Sequence, residues 1–455
     1  MSIKDYIPYY KRNIRVAIPV MLAQAGTVSV HLVDNIMVGH VGTTELAAAS
    51  FAGAVFIVGF VFGMGFIFGL TPLVGQAFGN NDEVEVGKLL NNSIFVNTLL
   101  TIGLSIILFA VSFFMDMMGQ PEDVVELAKP YYRILVVSLL PFLFFFMIKQ
   151  FLEGLGDTKK AMYVTLAANL INIILNWLLI YGKLGFPELG LNGAAYATFI
   201  ARFTMPILLF IWFVRAGILD RYKHQISFKN YQLHEIKKLF RFSLPIGLQL
   251  IVEVLAFAFG GIMMGWIGAV PLAAHQIALG LASFTFMITT GVGSATTIRV
   301  AHQLGARRYD DMRKAAFASV HLIIIFMGTM GVAFFVFRHQ LPYIFTTDIE
   351  VIEVAANLLL FAAIFQIADG LQMISISALR AVSDVNYALY TSLLCYGVVF
   401  LSVSYLFAFV LDFGPSGIWL GFVVSLFLAS YLLLKRFDKL SRSFLEMPLK
   451  KKFAG

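Results

Sequence analysis

The second half of this chain repeats the first. Lys11, Arg15, Pro19, Gly39, Gly42, Leu46, Ala47 and Ala48 recur 226 positions later as Lys237, Arg241, Pro245, Gly265, Gly268, Leu272, Ala273 and Ala274. Apolar helices align loosely with one another, but matched Lys, Arg and Pro at one constant offset do not arise that way. Two similar halves, each built from apolar helices, are the plan of many secondary transporters.

The repeated unit is a membrane unit. Apolar runs of roughly 20 residues, enough to cross a bilayer, recur near 13–36, 46–72, 90–115, 130–153, 160–182, 192–214, 240–263, 270–297, 315–337, 352–378, 386–410 and 416–435. Only 13% of the 455 residues are charged, against about 25% in soluble domains. The runs are continuous rather than alternating, which excludes a β-barrel. The expected fold is an all-α integral membrane protein of about twelve transmembrane helices in two pseudo-symmetric six-helix lobes. The lobes are read at 1–222 and 240–455, the second with a basic cytoplasmic tail, joined by a polar cytoplasmic linker at 223–239. Six helices per half give both halves one orientation, related by an axis along the membrane normal with a cavity between them. No cleavable signal peptide is expected, because the first apolar run belongs to the repeat.

The net charge of +7 would suggest nucleic acid in a soluble protein. Its placement gives another answer. Of 33 Lys and Arg, only Lys129, Arg133, Lys183 and Arg338 fall on the outer side and Arg202 within a helix; the rest are cytoplasmic. That positive-inside bias places both termini in the cytoplasm of a bacterial inner membrane. The basic clusters set topology, and no nucleic-acid partner is expected. Cys395 is the sole cysteine, which excludes an internal disulfide and a cysteine metal site. Glycine pairs Gly59/Gly63, Gly65/Gly69 and Gly261/Gly265 suit close helix packing or a hinge.

Three acids sit inside apolar segments: Asp34, Glu253 and Asp369. Each costs roughly 2.5–3.5 kcal/mol at a helix centre on insertion scales. Acids so placed handle ions, protons or substrates, or form structural ion pairs, for which Arg202 is the one basic partner at depth. Gln249, Glu253 and Phe257 share one face of the seventh helix at four-residue steps. Phe365, Gln366, Asp369, Gln372 and Met373 cluster on the tenth, and Asn169, Asn172 and Asn176 stripe the fifth. Carboxylates and amide oxygens are hard ligands that suit sodium or a proton, not a transition metal. His31, one turn before Asp34, is either a proton relay or a structural histidine. No phosphate loop and no nucleophile–base motif occurs, so neither ATP-driven transport nor an enzyme is expected, and no cofactor is.

The stretches Val33-Asp-Asn-Ile-Met-Val-Gly39, Glu45-Leu-Ala-Ala48, Pro245-Ile-Gly-Leu with Glu253, Ala273-Ala-His-Gln276 and Phe365-Gln-Ile-Ala-Asp369 resemble signatures of multidrug and toxic compound extrusion (MATE) transporters. Asn172-x-x-x-Asn176-Trp177 with Tyr181-Gly-Lys183 resembles their NorM-like branch, and the likeness covers essentially the whole chain. It implies an antiporter that exports cationic amphipathic compounds in exchange for sodium ions or protons by alternating access. By position it implies a C-lobe cation site at Glu253, Asp369 and Phe365, and an N-lobe cation site at Asp34, Asn172, Asn176 and Thr198. Gln276, with Gln249, Phe257, Gln372 and Met373, would line the substrate cavity, and Asp348 falls near a substrate-contacting acid. The expected partners are small organic cations and the bilayer, and the expected state is a monomer. The alternative in transport is a lipid-linked oligosaccharide flippase of the same superfamily, which would need basic cavity residues. The alternative outside transport is a membrane scaffold, which would need no buried acids.

Overall fold

A computed structural model describes residues 3–222, 224–227 and 231–453. Among them twelve helices have the length and apolarity to cross a bilayer: α1 (Lys4–Gly39), α2 (Thr43–Gly79), α3 (Glu83–Val111), α4 (Glu122–Gly154), α5 (Lys159–Ile180), α6 (Gly190–Arg215), α7 (Leu233–Ile267), α8 (Ala269–Gly305), α9 (Tyr309–Val336), α10 (Ile349–Ala381), α11 (Val385–Val410) and α12 (Pro415–Glu446). The described residues hold no strand. Large apolar side chains such as Leu99, Ile106 and Ile325 stand more than three-fifths exposed, as lipid-facing helices require and a water-soluble surface does not tolerate on this scale. Of the linker read at 223–239, residues 223 and 228–230 lie outside the described residues.

The chain forms two compact units, Leu22–Gly247 and Met1–Met21 with Leu248–Gly455. In the first, α4 packs against α2, α3 and α6, and α5 packs against α6. In the second, α10 packs against α8, α9 and α12, and α11 packs against α12. Adding six to each label converts one scheme into the other, so the sequence repeat is also a packing repeat.

The packing division is not the repeat division. The opening turns of α1 belong to the second unit and those of α7 to the first. The contacts explain why. The Tyr9 hydroxyl donates to Asp311, and Asn13 donates to the Ala315 carbonyl at 2.9 Å and to the Ser319 hydroxyl at 2.8 Å. In the other unit Lys238 donates to Glu85 at 2.7 Å and pairs with Glu235 at 3.3 Å. Tyr9 and Glu235 are 226 apart, as are Glu85 and Asp311.

The α1–α2 turn repeats in detail. Leu46 N–H donates to the Gly42 carbonyl at 3.1 Å, and Leu272 N–H to that of Gly268 at 3.2 Å. Where α6 and α12 begin, Gly193 and Gly417 touch the preceding helix backbone. A Cβ would lie 2.4 Å from the Leu179 carbonyl oxygen in one case and 2.4 Å from the Ala408 nitrogen in the other. Backbone cannot yield as a flexible side chain does. Gly193→Ala or Gly417→Ala should therefore cost about 1–3 kcal/mol, the range for overpacking, read as a lowered melting temperature of the purified protein.

Candidate functional site

α7, α10 and α11 build a polar cluster inside the second unit. Glu253 is its centre. Gln249, one turn earlier on α7, donates its Nε2 to Glu253 Oε1 at 3.0 Å. Gln372 of α10 donates to the same oxygen at 2.9 Å. Asp369, 8% exposed, lies one turn before Gln372 and within electrostatic reach of Glu253. Phe257 continues the α7 face and meets Phe365 edge-on, ring centroids 6.4 Å apart, while Phe365 packs on Trp419 at 5.6 Å. The structure therefore brings Gln249, Glu253, Asp369 and Gln372 together beneath an aromatic wall of Phe257 and Phe365. Met373 is half-buried against Gly293 of α8, and Gln276 is exposed on α8 opposite Gly261 of α7. His275 is structural: its Nδ1 accepts from the Trp419 indole at 3.1 Å. Asp348 caps α10, accepting from the Glu350 N–H at 3.0 Å.

α1, α5 and α6 build a second cluster inside the other unit. Asn176, fully buried, donates to Asp34 and, at 3.2 Å, to Asn172 Oδ1. Asn172 reaches the Thr198 hydroxyl at 3.4 Å. Turning the Asn172 amide over gives Asp34 a second donor at 2.9 Å and lets the amide oxygen accept from the Thr198 N–H at 3.3 Å. The Tyr181 hydroxyl, donating to the Met37 carbonyl at 2.9 Å, ties α5 to α1 beside these residues. All four residues of the expected N-lobe site meet here. His31 is exposed on α1, one turn away.

The MatE family model matches residues 19–178 and 245–406, two segments whose starts are 226 apart like the repeat itself. The chain belongs to the MatE family. It is 32% identical over 450 residues to the "Probable multidrug resistance protein NorM" of Mannheimia succiniciproducens, covering 96% of each chain. It is 31% identical over 445 residues to the "Multidrug resistance protein MdtK" of Pectobacterium atrosepticum, covering 96% of this chain and 97% of that one. Its fold is that of a MATE crystallised in the bent conformation, with TM-score 0.88 at 22% identity over 98% of this chain and 97% of that one.

Within this MatE chain, two site residues escaped the sequence reading. Arg380, at the end of α10, is 6% exposed and donates to Gln249 Oε1 at 3.1 Å. It lies where the apolar run ends and so reads as part of the basic cytoplasmic flank, yet it is buried within electrostatic reach of Glu253. The signal was its position eleven residues after Asp369, three helical turns along one face. Tyr396 of α11 donates to Gln372 Oε1 at 2.7 Å from a π-helical stretch, Leu393–Phe400; a lone tyrosine in an apolar helix carries no comparable signal. Arg202 lies among the rings of Phe56, Phe60 and Phe142, at 5.6, 5.3 and 5.2 Å, and donates to Ser138 at 2.8 Å. It stands within electrostatic reach of Asp34.

The two clusters fit a hard cation unequally. Asn176 Oδ1 is buried and has no hydrogen-bond partner among the described residues. With the Asp34 carboxylate and the Thr198 hydroxyl it offers oxygens of the type sodium takes. Around Glu253 the amides present nitrogen instead. No group of three or more His, Cys, Asp or Glu able to hold a metal occurs among the described residues.

Proposed function

We propose that this chain is a secondary active multidrug efflux antiporter of the bacterial inner membrane, with both termini cytoplasmic. It exports cationic amphipathic compounds in exchange for a monovalent cation. The observation that carries the reading is Glu253, an acid inside an apolar bundle, hydrogen-bonded from two helices and close to Asp369. Each acid costs roughly 2.5–3.5 kcal/mol in an apolar bundle on insertion scales, and acids so placed mark ion or substrate pathways; the relatives' names point to drug export. Glu253 and Asp369 serve as the C-lobe cation acids, with Phe365 beside them. Asp34, Asn172, Asn176 and Thr198 form the N-lobe cation site. Gln249, Phe257, Gln276, Gln372 and Met373 contact the exported compound, whose charge the aromatic faces attract. Cation and drug stabilise different openings of the transporter, and this differential affinity couples their movements.

Reconstitution tests it. A fluorescent organic cation should move across proteoliposomes when a sodium or a proton gradient is imposed alone. Movement under neither, in folded protein, would sink the antiporter reading and favour lipid-linked oligosaccharide flipping.

A further inference from the structure

The amide oxygens of both glutamines that donate to Glu253 are already engaged. Gln249 Oε1 accepts from Arg380 at 3.1 Å and Gln372 Oε1 from the Tyr396 hydroxyl at 2.7 Å. A guanidinium has donors only, so Arg380 dictates which end of the Gln249 amide faces Glu253. The Tyr396 hydroxyl can donate or accept, so it is the accept-only carboxylate of Glu253 that orients the Gln372 amide. Both amide nitrogens then converge on Glu253 Oε1, at 3.0 and 2.9 Å.

Hard metal cations need several oxygen ligands at once. This cluster offers Glu253 Oε2 and the Asp369 carboxylate, flanked by N–H donors and the rings of Phe257 and Phe365. A guanidinium within electrostatic reach of Glu253 adds repulsion for any metal ion there. The sodium that the MATE resemblance implies does not fit this set, whereas the N-lobe cluster, with its free Asn176 oxygen, does fit.

We infer that Arg380 is a positioning residue that holds the Gln249 amide nitrogen-first on Glu253 and so excludes sodium from the C-lobe cluster. The inference rests on the antiporter reading and restricts where sodium can act in it. A proton, which needs a single oxygen, is the cation left for Glu253 and Asp369.

Radioactive sodium binding to the purified full-length protein tests this without transport. Glu253→Gln and Asp369→Asn should leave saturable sodium binding as in the wild type, and Asp34→Asn should remove whatever binding the wild type has. Loss of sodium binding in folded Glu253→Gln or Asp369→Asn would overturn the inference. If those variants do not fold, Arg380→Met decides. It frees the Gln249 oxygen and removes the guanidinium, so sodium binding should rise and the added part should be insensitive to Asp34→Asn; unchanged binding would overturn the positioning role. Arg380→Lys, which keeps a donor and a charge, should bind sodium as the wild type does, and a gain there would count against the inference. Failure of the antiporter reading looks different: no gradient drives transport while these binding results stand.

Discussion

Glu253→Gln should abolish gradient-driven export while leaving the protein folded. The carboxylate is the one group at the centre of its cluster that both carries charge and receives two donors, from Gln249 at 3.0 Å and Gln372 at 2.9 Å. A glutamine at 253 keeps an oxygen in the same place, so both hydrogen bonds survive and the packing of α7 on its neighbours is unchanged. What is lost is the ability to alternate between a charged and a neutralised state. Coupling free energies of about 1–3 kcal/mol correspond to roughly 5–150-fold in affinity, and driven export should fall by that order or more. Downhill binding of the organic cation should persist, weakened only by the missing negative charge. Efflux from cells and dye movement in proteoliposomes, each normalised to the amount of monodisperse protein, measure the effect. Glu253→Asp, which keeps the charge, should retain part of the activity. Wild-type export in Glu253→Gln would remove the C-lobe acid from the mechanism.

The helices were legible because membrane helices announce themselves by uninterrupted apolarity, and the twelve runs correspond one for one with α1 to α12. Their ends were not. The sequence reading starts the first and seventh helices near 13 and 240, yet α1 and α7 begin at Lys4 and Leu233. Those opening turns are rich in Lys, Arg, Tyr and Glu, so an apolar-run criterion stops short of them. They stay helical because tertiary partners hold them: Asp311 and Ser319 for α1, Glu85 for α7. The same logic divides the site. Glu253, Gln249, Gln372 and the asparagines of α5 stand out as polar groups in apolar surroundings. Arg380 lies where an apolar run ends, and a basic residue there reads as a topology signal. Its role depends on Gln249, 131 positions away, which no local pattern reveals. Glu153 shows the same limit: it stands at the end of α4, as a helix-end acid, yet it is 1% exposed inside its unit.

That acid gives the largest expected effect on stability. Glu153 lies one turn beyond Lys149 on α4, the helix around which its unit is built, and the two side chains pair at 3.5 Å. Lys149 is only 8% exposed, and its ammonium also sits 4.9 Å from the centre of the Phe146 ring. Water reaches neither charge well, so each depends on the other. Lys149→Met removes the cation and leaves a carboxylate buried alone, which should cost about 3–5 kcal/mol. Replacing both, Lys149→Met with Glu153→Leu, removes the desolvation penalty together with the attraction. It should be neutral or stabilising by about 1–4 kcal/mol relative to the wild type. Melting of the purified variants in detergent separates the cases by sign: the single variant falls sharply, and the double variant recovers or exceeds the wild type. A single variant that loses only the ~0–1 kcal/mol of an exposed pair would mean that water enters this end of α4. If the double variant is as stable as expected yet impaired in export, the pair is retained for transport and not for folding, since apolar side chains would then hold α4 at least as well.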